Sequence, residues 1–404
     1  MIKRILTALL AGIFMLSSQT WAKGEGAMVP TARIDESLLS SVINSPIIQS
    51  FDLSPDGKTV AMLAVAGTKV AAPLWLVVED IESRHIVASR EIGPSTFPSG
   101  GFSAQVLFAS DQQFLVVQDL QTVRVFDAKS LAPLRTIPPS SNSTQALYII
   151  GAKNKDIFVC AYGAEQKFNP RLHRTPAQIK IVDVASGSNL GEWSSEDVPQ
   201  SVSPDGRLIA VSSWQSPRSV LPLAVFDTKG NKVAEMSGDF SFKKTTDELT
   251  PVGRVIGLFV DSEEIILSPD LNIDQTGHHS GETLQNVLIT GKQIKQTIKP
   301  QHYGPTGEMA VSGDKKTVAV ISWYMPAKAL AHEHGVLPSS SPELLIFERG
   351  VDVRKESTTP IHGLSLKSTG WMENLRPRVS FDGTVIAIAQ DNGITVFARK
   401  ADKK

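Results

Sequence analysis

The chain has 404 residues, 41% of them apolar, with 40 Lys and Arg against 41 Asp and Glu and a formal net charge of −1. That is enough apolar material for a sizeable core. The near-neutral balance, without a clustered basic run, excludes a general nucleic-acid binder, which needs concentrated positive charge to displace phosphate counterions, and a single cysteine, Cys160, excludes an internal disulfide.

Lys3 and Arg4 precede an apolar stretch, residues 5–16, that is too short to span a bilayer. Thr20-Trp21-Ala22 then sets small residues three positions and one position before a cleavage point. Residues 1–22 therefore read as a signal peptide, which sends the mature chain to the periplasm or outside the cell; a short buried first helix is the competing reading. No later stretch is long and apolar enough for a membrane span. Glu36 to Ile47 is the one helix candidate, and it lies ahead of the repeats described next.

One turn phrase recurs along the chain: Ser54-Pro55-Asp56-Gly57, Ser203-Pro204-Asp205-Gly206, Ser312-Gly313-Asp314-Lys315 and Ser380-Phe381-Asp382-Gly383. Each copy is followed by an apolar β-type run, at 59–65, 208–212, 317–321 and 385–389. Pro fixes φ, Asp bonds back to the turn backbone and Gly accepts positive φ, which are the needs of a hairpin turn. A second phrase follows 20–30 residues later: Leu74 to Asp80, Val123 to Asp127, Ile179 to Asp183, Leu223 to Asp227, Leu344 to Phe347 and Ile394 to Phe397. Most copies end in Asp and a small polar turn, then a weaker strand. Repetition every ~40–55 residues, with alternating strand patterns, is the signature of a propeller.

The sequence thus predicts an all-β fold, a seven-bladed β-propeller of four-stranded antiparallel blades. The blades are expected at 48–95, 98–140, 144–195, 198–240, 250–300, 303–357 and 361–399. The same repeats also accommodate six or eight. The last blade is one strand short, and a segment near Met28 to Arg33 is expected to supply it, because each blade has an apolar face that its neighbours must bury. The domain plan is a signal peptide at 1–22, an N-terminal segment at 23–47, the propeller at 48–399 and a tail at 400–404.

The turns at 54–57 and 203–206 match the WD40-like turn, and the phrases at 123–137 and 179–193 look like the YVTN pattern of strand, Asp, small turn and returning strand. On these motifs the chain resembles the bacterial exported YVTN and WD40-like propellers. The likeness implies fold more than function, because propellers host binding, scaffolding and many chemistries. The Gly-His and Trp-Asp pairs of true WD40 repeats are absent from the expected places. Quinoprotein dehydrogenase subunits and lactonases have similar folds, but the sequence offers no clear cofactor or catalytic motif of either.

The resemblance further implies that an active face is built from the loops joining the second and third strands of each blade. Those loops are expected at 163–176, 215–220, 269–282 and 324–341, and they hold His173, His278, His279, His332 and His334. Tyr162, Trp214 and Trp323 close the preceding strands, where aromatic rings offer flat apolar contact, and Arg174 adds a donor suited to carboxylate or phosphate. Tyr162, Arg174, Trp214 and Trp323 are the candidate ligand-binding residues. His278, His279, His332 and His334 are candidate ligands for a divalent transition metal, since imidazole suits zinc, copper and nickel. Solvated loop histidines and packing tryptophans are the alternative readings. No Gly-x-Ser-x-Gly elbow or Gly-rich phosphate loop is present, so no catalytic residue is assigned. The leading expectation is a non-enzymatic exported propeller that binds a protein, peptide or cell-envelope ligand on its long-loop face. The alternative is a metal-assisted hydrolase or lactonase, or a subunit of a periplasmic oxidoreductase.

Overall fold

A computed structural model describes residues 28–67, 71–94, 104–119, 122–139, 145–163, 178–195, 197–212, 220–237, 252–272, 284–292, 294–298, 306–323, 342–348, 357–360, 377–390 and 393–399. Their strands fall into seven sheets, numbered here along the chain. Sheet 1 is Pro46–Leu53, Thr59–Ala66, Pro73–Asp80 and His85–Pro94. Sheet 2 is Gln105–Phe108, Phe114–Gln118, Val123–Asp127 and Pro133–Ile137. Sheet 3 is Gln145–Gly151, Ile157–Gly163, Gln178–Asp183 and Asn189–Ser194, and sheet 4 is Val198–Val202, Leu208–Ser212, Leu223–Asp227 and Lys232–Met236. Sheet 5 is Val252–Phe259, Glu264–Asn272, Leu284–Leu288 and Ile294–Ile298, and sheet 6 is Thr306–Val311, Thr317–Trp323, Pro342–Glu348 and Ser357–Pro360. Sheet 7 is Arg378–Val379, Val385–Gln390 and Gly393–Arg399, and Met28–Asp35 pairs antiparallel with that last strand as its fourth member. Within each set of four the pairing is antiparallel and sequential, the architecture of a β-propeller with four-stranded blades.

The turn phrase shows why each first hairpin forms. Ser54 Oγ donates to Asp56 Oδ1 at 2.7 Å and accepts from the Thr59 N–H at 2.9 Å. Gly57 sits at φ 71°, and a Cβ there would lie 2.9 Å from Val385 of sheet 7. Glycine is therefore required both by conformation and by the approach of the next sheet. The same Ser–Asp bond recurs at 203/205, 312/314 and 380/382. In the third copy Lys315 stands in the glycine position and takes φ 67°, a conformation that is costly for a side chain with a Cβ.

Successive sheets share apolar cores. Leu74, Leu76 and Val78 of sheet 1 pack with Val106, Leu115 and Val117 of sheet 2. The same relation continues around the molecule to Ile386, Ile388 and Phe397 of sheet 7 against Ile321 and Ile346 of sheet 6. The remaining faces meet each other: Ile394 and Val396 of sheet 7, with Ala32 and Ile34 of the closing strand, pack on Val60, Met62 and Val77 of sheet 1. The first strands of the sheets also touch in sequence, and Arg378–Val379 returns to Pro46–Leu53. There Arg378 pairs with Asp52 at 3.2 Å, while Asp52 accepts from the Phe108 N–H of sheet 2 at 2.8 Å.

Two expectations need correction. The candidate helix at 36–47 is one turn, Glu36–Leu39, capped by Asp35, which accepts from the Ser37 and Leu38 N–H groups. At its end the Ser40 and Ser41 hydroxyls donate to the Glu36 and Leu38 carbonyls; Ser45 then takes φ 49°, before Pro46, which disfavours helix in the residue before it and begins the first strand of sheet 1. The second strand of sheet 5 also runs to Asn272, past the expected loop start at 269, because Val252–Phe259 pairs with it along its whole length.

In sheets 1 to 5 the register between third and fourth strands slips by one residue, in sheets 1 to 4 leaving Val87, Leu134, Leu190 and Val233 without a cross-strand partner. All four are exposed. A bulge on an edge strand interrupts the regular row of backbone groups that would template pairing with another chain.

Candidate functional site

The two ends of the sheets differ. At the end carrying the first hairpins, polar contacts link neighbouring sheets. Ser110 Oγ of sheet 2 donates to Asp156 of sheet 3 at 2.7 Å, and the Asn154 N–H of sheet 3 donates to the Pro204 carbonyl of sheet 4 at 3.1 Å. Asp205 of sheet 4 is hydrogen-bonded with Ser262 of sheet 5, and Lys315 of sheet 6 lies 3.9 Å from Asp261 of sheet 5. The Asp314 N–H donates to the Phe381 carbonyl of sheet 7 at 2.7 Å, and the Phe381 N–H donates to the Pro55 carbonyl of sheet 1 at 2.6 Å. With its amide nitrogen turned toward sheet 1, Gln112 of sheet 2 donates to both oxygens of Asp56 at 3.2 Å, which completes the circuit.

The opposite end carries the connections between second and third strands. In sheets 3 to 6 they run from Gly163 to Gln178, Ser212 to Leu223, Asn272 to Leu284 and Trp323 to Pro342. In sheets 7, 1 and 2 the equivalent steps are short: Gln390 to Gly393, Ala66 to Pro73 and Gln118 to Val123. The last is pinned by Arg124, which pairs with Asp119 at 2.7 Å and donates to the Ile92 carbonyl of sheet 1 at 2.6 Å. The connection of sheet 4 contains Val220–Leu221, which pairs in parallel with Gly253–Arg254 on the first strand of sheet 5. One long connection thus crosses to the neighbouring sheet.

The candidate ligand-binding residues divide by position. Tyr162 lies in the second strand of sheet 3, paired with Gln178 and Ala146. Its ring is fully buried in a cluster with Val123, Phe158 and Cys160. Burial pushes both the Tyr162 hydroxyl and the Cys160 thiol far above their ordinary pKa values. Trp323 ends the second strand of sheet 6 with its backbone paired to Pro342, and its side chain lies outside the described residues. Arg174, Trp214, His278, His279, His332 and His334 also lie outside them. Among the described residues no group of three or more His, Cys, Asp and Glu side chains is arranged to hold a metal ion, and no helix is long and apolar enough to cross a membrane.

Sequence reasoning passed over Glu79, a buried carboxylate near the end of the third strand of sheet 1. The available signal was its place in the repeated strand phrase, where other copies carry Phe126, Val182 or Phe226.

Fold and geometry together define the class: a β-propeller of four-stranded antiparallel blades. No protein-family model and no curated protein sequence matches the chain. Among solved structures it is similar to a chain of Kuenenia stuttgartiensis Hydrazine Synthase, with a TM-score of 0.55 and 14% sequence identity. That match covers 89% of this chain and 98% of the other. At this identity the likeness is one of fold alone.

Proposed function

We propose that the chain is an exported seven-bladed propeller, akin to the bacterial YVTN and WD40-like proteins, that binds a protein, peptide or cell-envelope ligand on the face bearing its long connections. The seven-blade count is supported by the seven sheets and by first strands that touch in a closed sequence. Export rests on the signal-peptide pattern of residues 1–22, and the kinship on the recurrent Ser-x-Asp turns. The observation that carries the binding reading is the asymmetry between the two ends of the sheets. Polar contacts tie one end from sheet to sheet. At the other, four successive sheets have long connections between their second and third strands, and such connections are the usual setting of binding residues. Trp214 and Trp323 are the proposed aromatic anchors.

The test begins with photo-crosslinking groups placed at 214 and 323 in the exported protein, to identify what they touch in the envelope. Affinity for that component is then measured with a Trp214→Ala, Trp323→Ala double variant of unchanged circular dichroism. The reading expects at least about a tenfold loss, the weight of a hot-spot aromatic. Unchanged affinity in the folded variant rejects these anchors.

A further inference from the structure

The residue before the turn at the end of each third strand occupies a fixed place in the repeat. In register, Phe126 pairs with Leu115, Val182 with Phe158, Phe226 with Ile209, Val287 with Ile265, Phe347 with Val318 and Phe397 with Ile386. Sheet 1 sets Glu79 against Val60 at that place. A carboxylate thus replaces the apolar residue of the six other sheets, and it does so where the ring closes. Trp75, Val77 and Glu79 alternate onto one face of their strand, and the first two pack in the cluster that contains Ala32 and Ile34 of the closing strand and Ile394 and Val396 of sheet 7. Glu79 is 1% exposed, and neither carboxylate oxygen has a hydrogen-bond partner. An ionised carboxylate without partners in such a seam is strongly disfavoured.

Charged groups lie on every element around the seam. Asp35 and Arg33 belong to the closing strand, Glu36 to the helical turn, Arg399 to the last strand of sheet 7, and Lys58, Asp80, Glu82, Arg84 and His85 to sheet 1 and its turns. Those acting on Glu79 are Asp35 and Asp80, which oppose its charge, and Arg84, which favours it. Arg84 also donates to the Thr31 carbonyl of the closing strand at 3.4 Å, so the residue whose charge acts on the carboxyl also holds the strand.

We propose that Glu79 is a proton-operated latch on the ring closure. Protonated, it lets Met28–Asp35 and the following helical turn pack on sheet 1; ionised, it loosens them. Burial, with Asp35 and Asp80 nearby, raises its pKa from 4.5 to about 7. In the closed form the group holds its proton to higher pH than when exposed, so closure is fully supported below the ordinary carboxylate range. The support fades as pH rises through the raised value.

Hydrogen exchange of the full chain, followed by mass spectrometry at about pH 5.5 and 8.5 and corrected for chemical exchange rate, reads the latch. With an exposed value of 4.5 and a closed value of about 7, protection of Met28–Asp35 should fall about thirty-fold across that interval. Amides of Ile157–Gly163 in sheet 3 that exchange by local opening, which leaves Glu79 buried, should stay level. Glu79→Gln and Glu79→Leu should each remove the fall. The latch is overturned by a wild-type closing strand with level protection, by an equal fall in sheet 3, or by a fall that survives in either variant. The wild-type comparison of the two strands stands alone if a variant does not fold.

Discussion

Sheets 7, 1 and 2 and sheets 3 to 6 are built on one repeat but treat their second-to-third strand connections differently. The first group turns within a few residues, and it also contains the closure, where a strand from the start of the chain completes the sheet formed by its end. The second group turns through residues 164–177, 213–222, 273–283 and 324–341. Its connections hold the histidines and Trp214 that the sequence singles out. The half of the ring that must join the two ends of the chain is kept compact, and elaboration falls on the half that need not.

The largest expected effect bears on the closing half. Asp52 pairs with Arg378 and accepts from the Phe108 N–H, joining sheets 7, 1 and 2. Asp52→Ala removes the carboxylate partner of a mostly buried guanidinium and should lower the unfolding free energy, read by urea titration, by about 3 kcal/mol. The matching tie on the other half is a neutral hydroxyl, Ser201, which donates to the Gly257 carbonyl at 2.8 Å. Ser201→Ala should cost about 1 kcal/mol in the same urea titration. Equal losses would remove the distinction between the halves.

An intermediate effect is set by pH. Asp80, Asp127, Asp183 and Asp227 end the third strands of sheets 1 to 4. Hydrogen bonds from Ser83, Ser130, Ser186 and Asn231 in the turns hold their carboxyls below the usual range. Their contribution is complete above the ordinary carboxylate pKa and is lost as pH falls through the lowered values. Glu79 acts with the opposite sign, losing its contribution as pH rises from 4.5 to about 7. The melting temperature should therefore peak near pH ~5 and fall on both sides, and the alkaline fall should vanish in Glu79→Leu. A profile that keeps rising to neutral pH would contradict the opposed signs.

The smallest effect is a gain. Lys315 holds positive φ where three copies of the turn have glycine. Lys315→Gly relieves that strain, gives up a weak contact with Asp261 and should raise the unfolding free energy by about 0.5 kcal/mol. A loss of stability would show that the contact between sheets 5 and 6 outweighs the backbone.

The frame was legible because its signals are local. Ser, Asp and Gly at fixed spacing specify a hairpin by hydrogen bonds within the turn, so the second strand of sheet 1, expected at 59–65, is Thr59–Ala66. The contacts between sheets were not legible, because partners such as Phe381 and Pro55 lie far apart in sequence and meet through backbone groups. Pattern reading also weighs apolar residues and passes over one carboxylate among them, which is how Glu79 escaped notice. The candidate site is the least legible part. Loop residues carry no periodicity, and of those singled out Tyr162 is the one whose side chain is described, inside the core.

Met28–Asp35 and Gly393–Arg399 complete one sheet and so close the ring. Arg33 pairs with Thr395 in the register of the closing strand, at the Cα separation of about 4.5–5.5 Å found between opposed antiparallel residues, which a disulfide can span. With both replaced by cysteine, mild oxidation should give a disulfide in nearly all molecules and raise the urea midpoint, with Cys160 left reduced in the core. Free thiols at 33 and 395 in the folded, oxidised protein would contradict the closure.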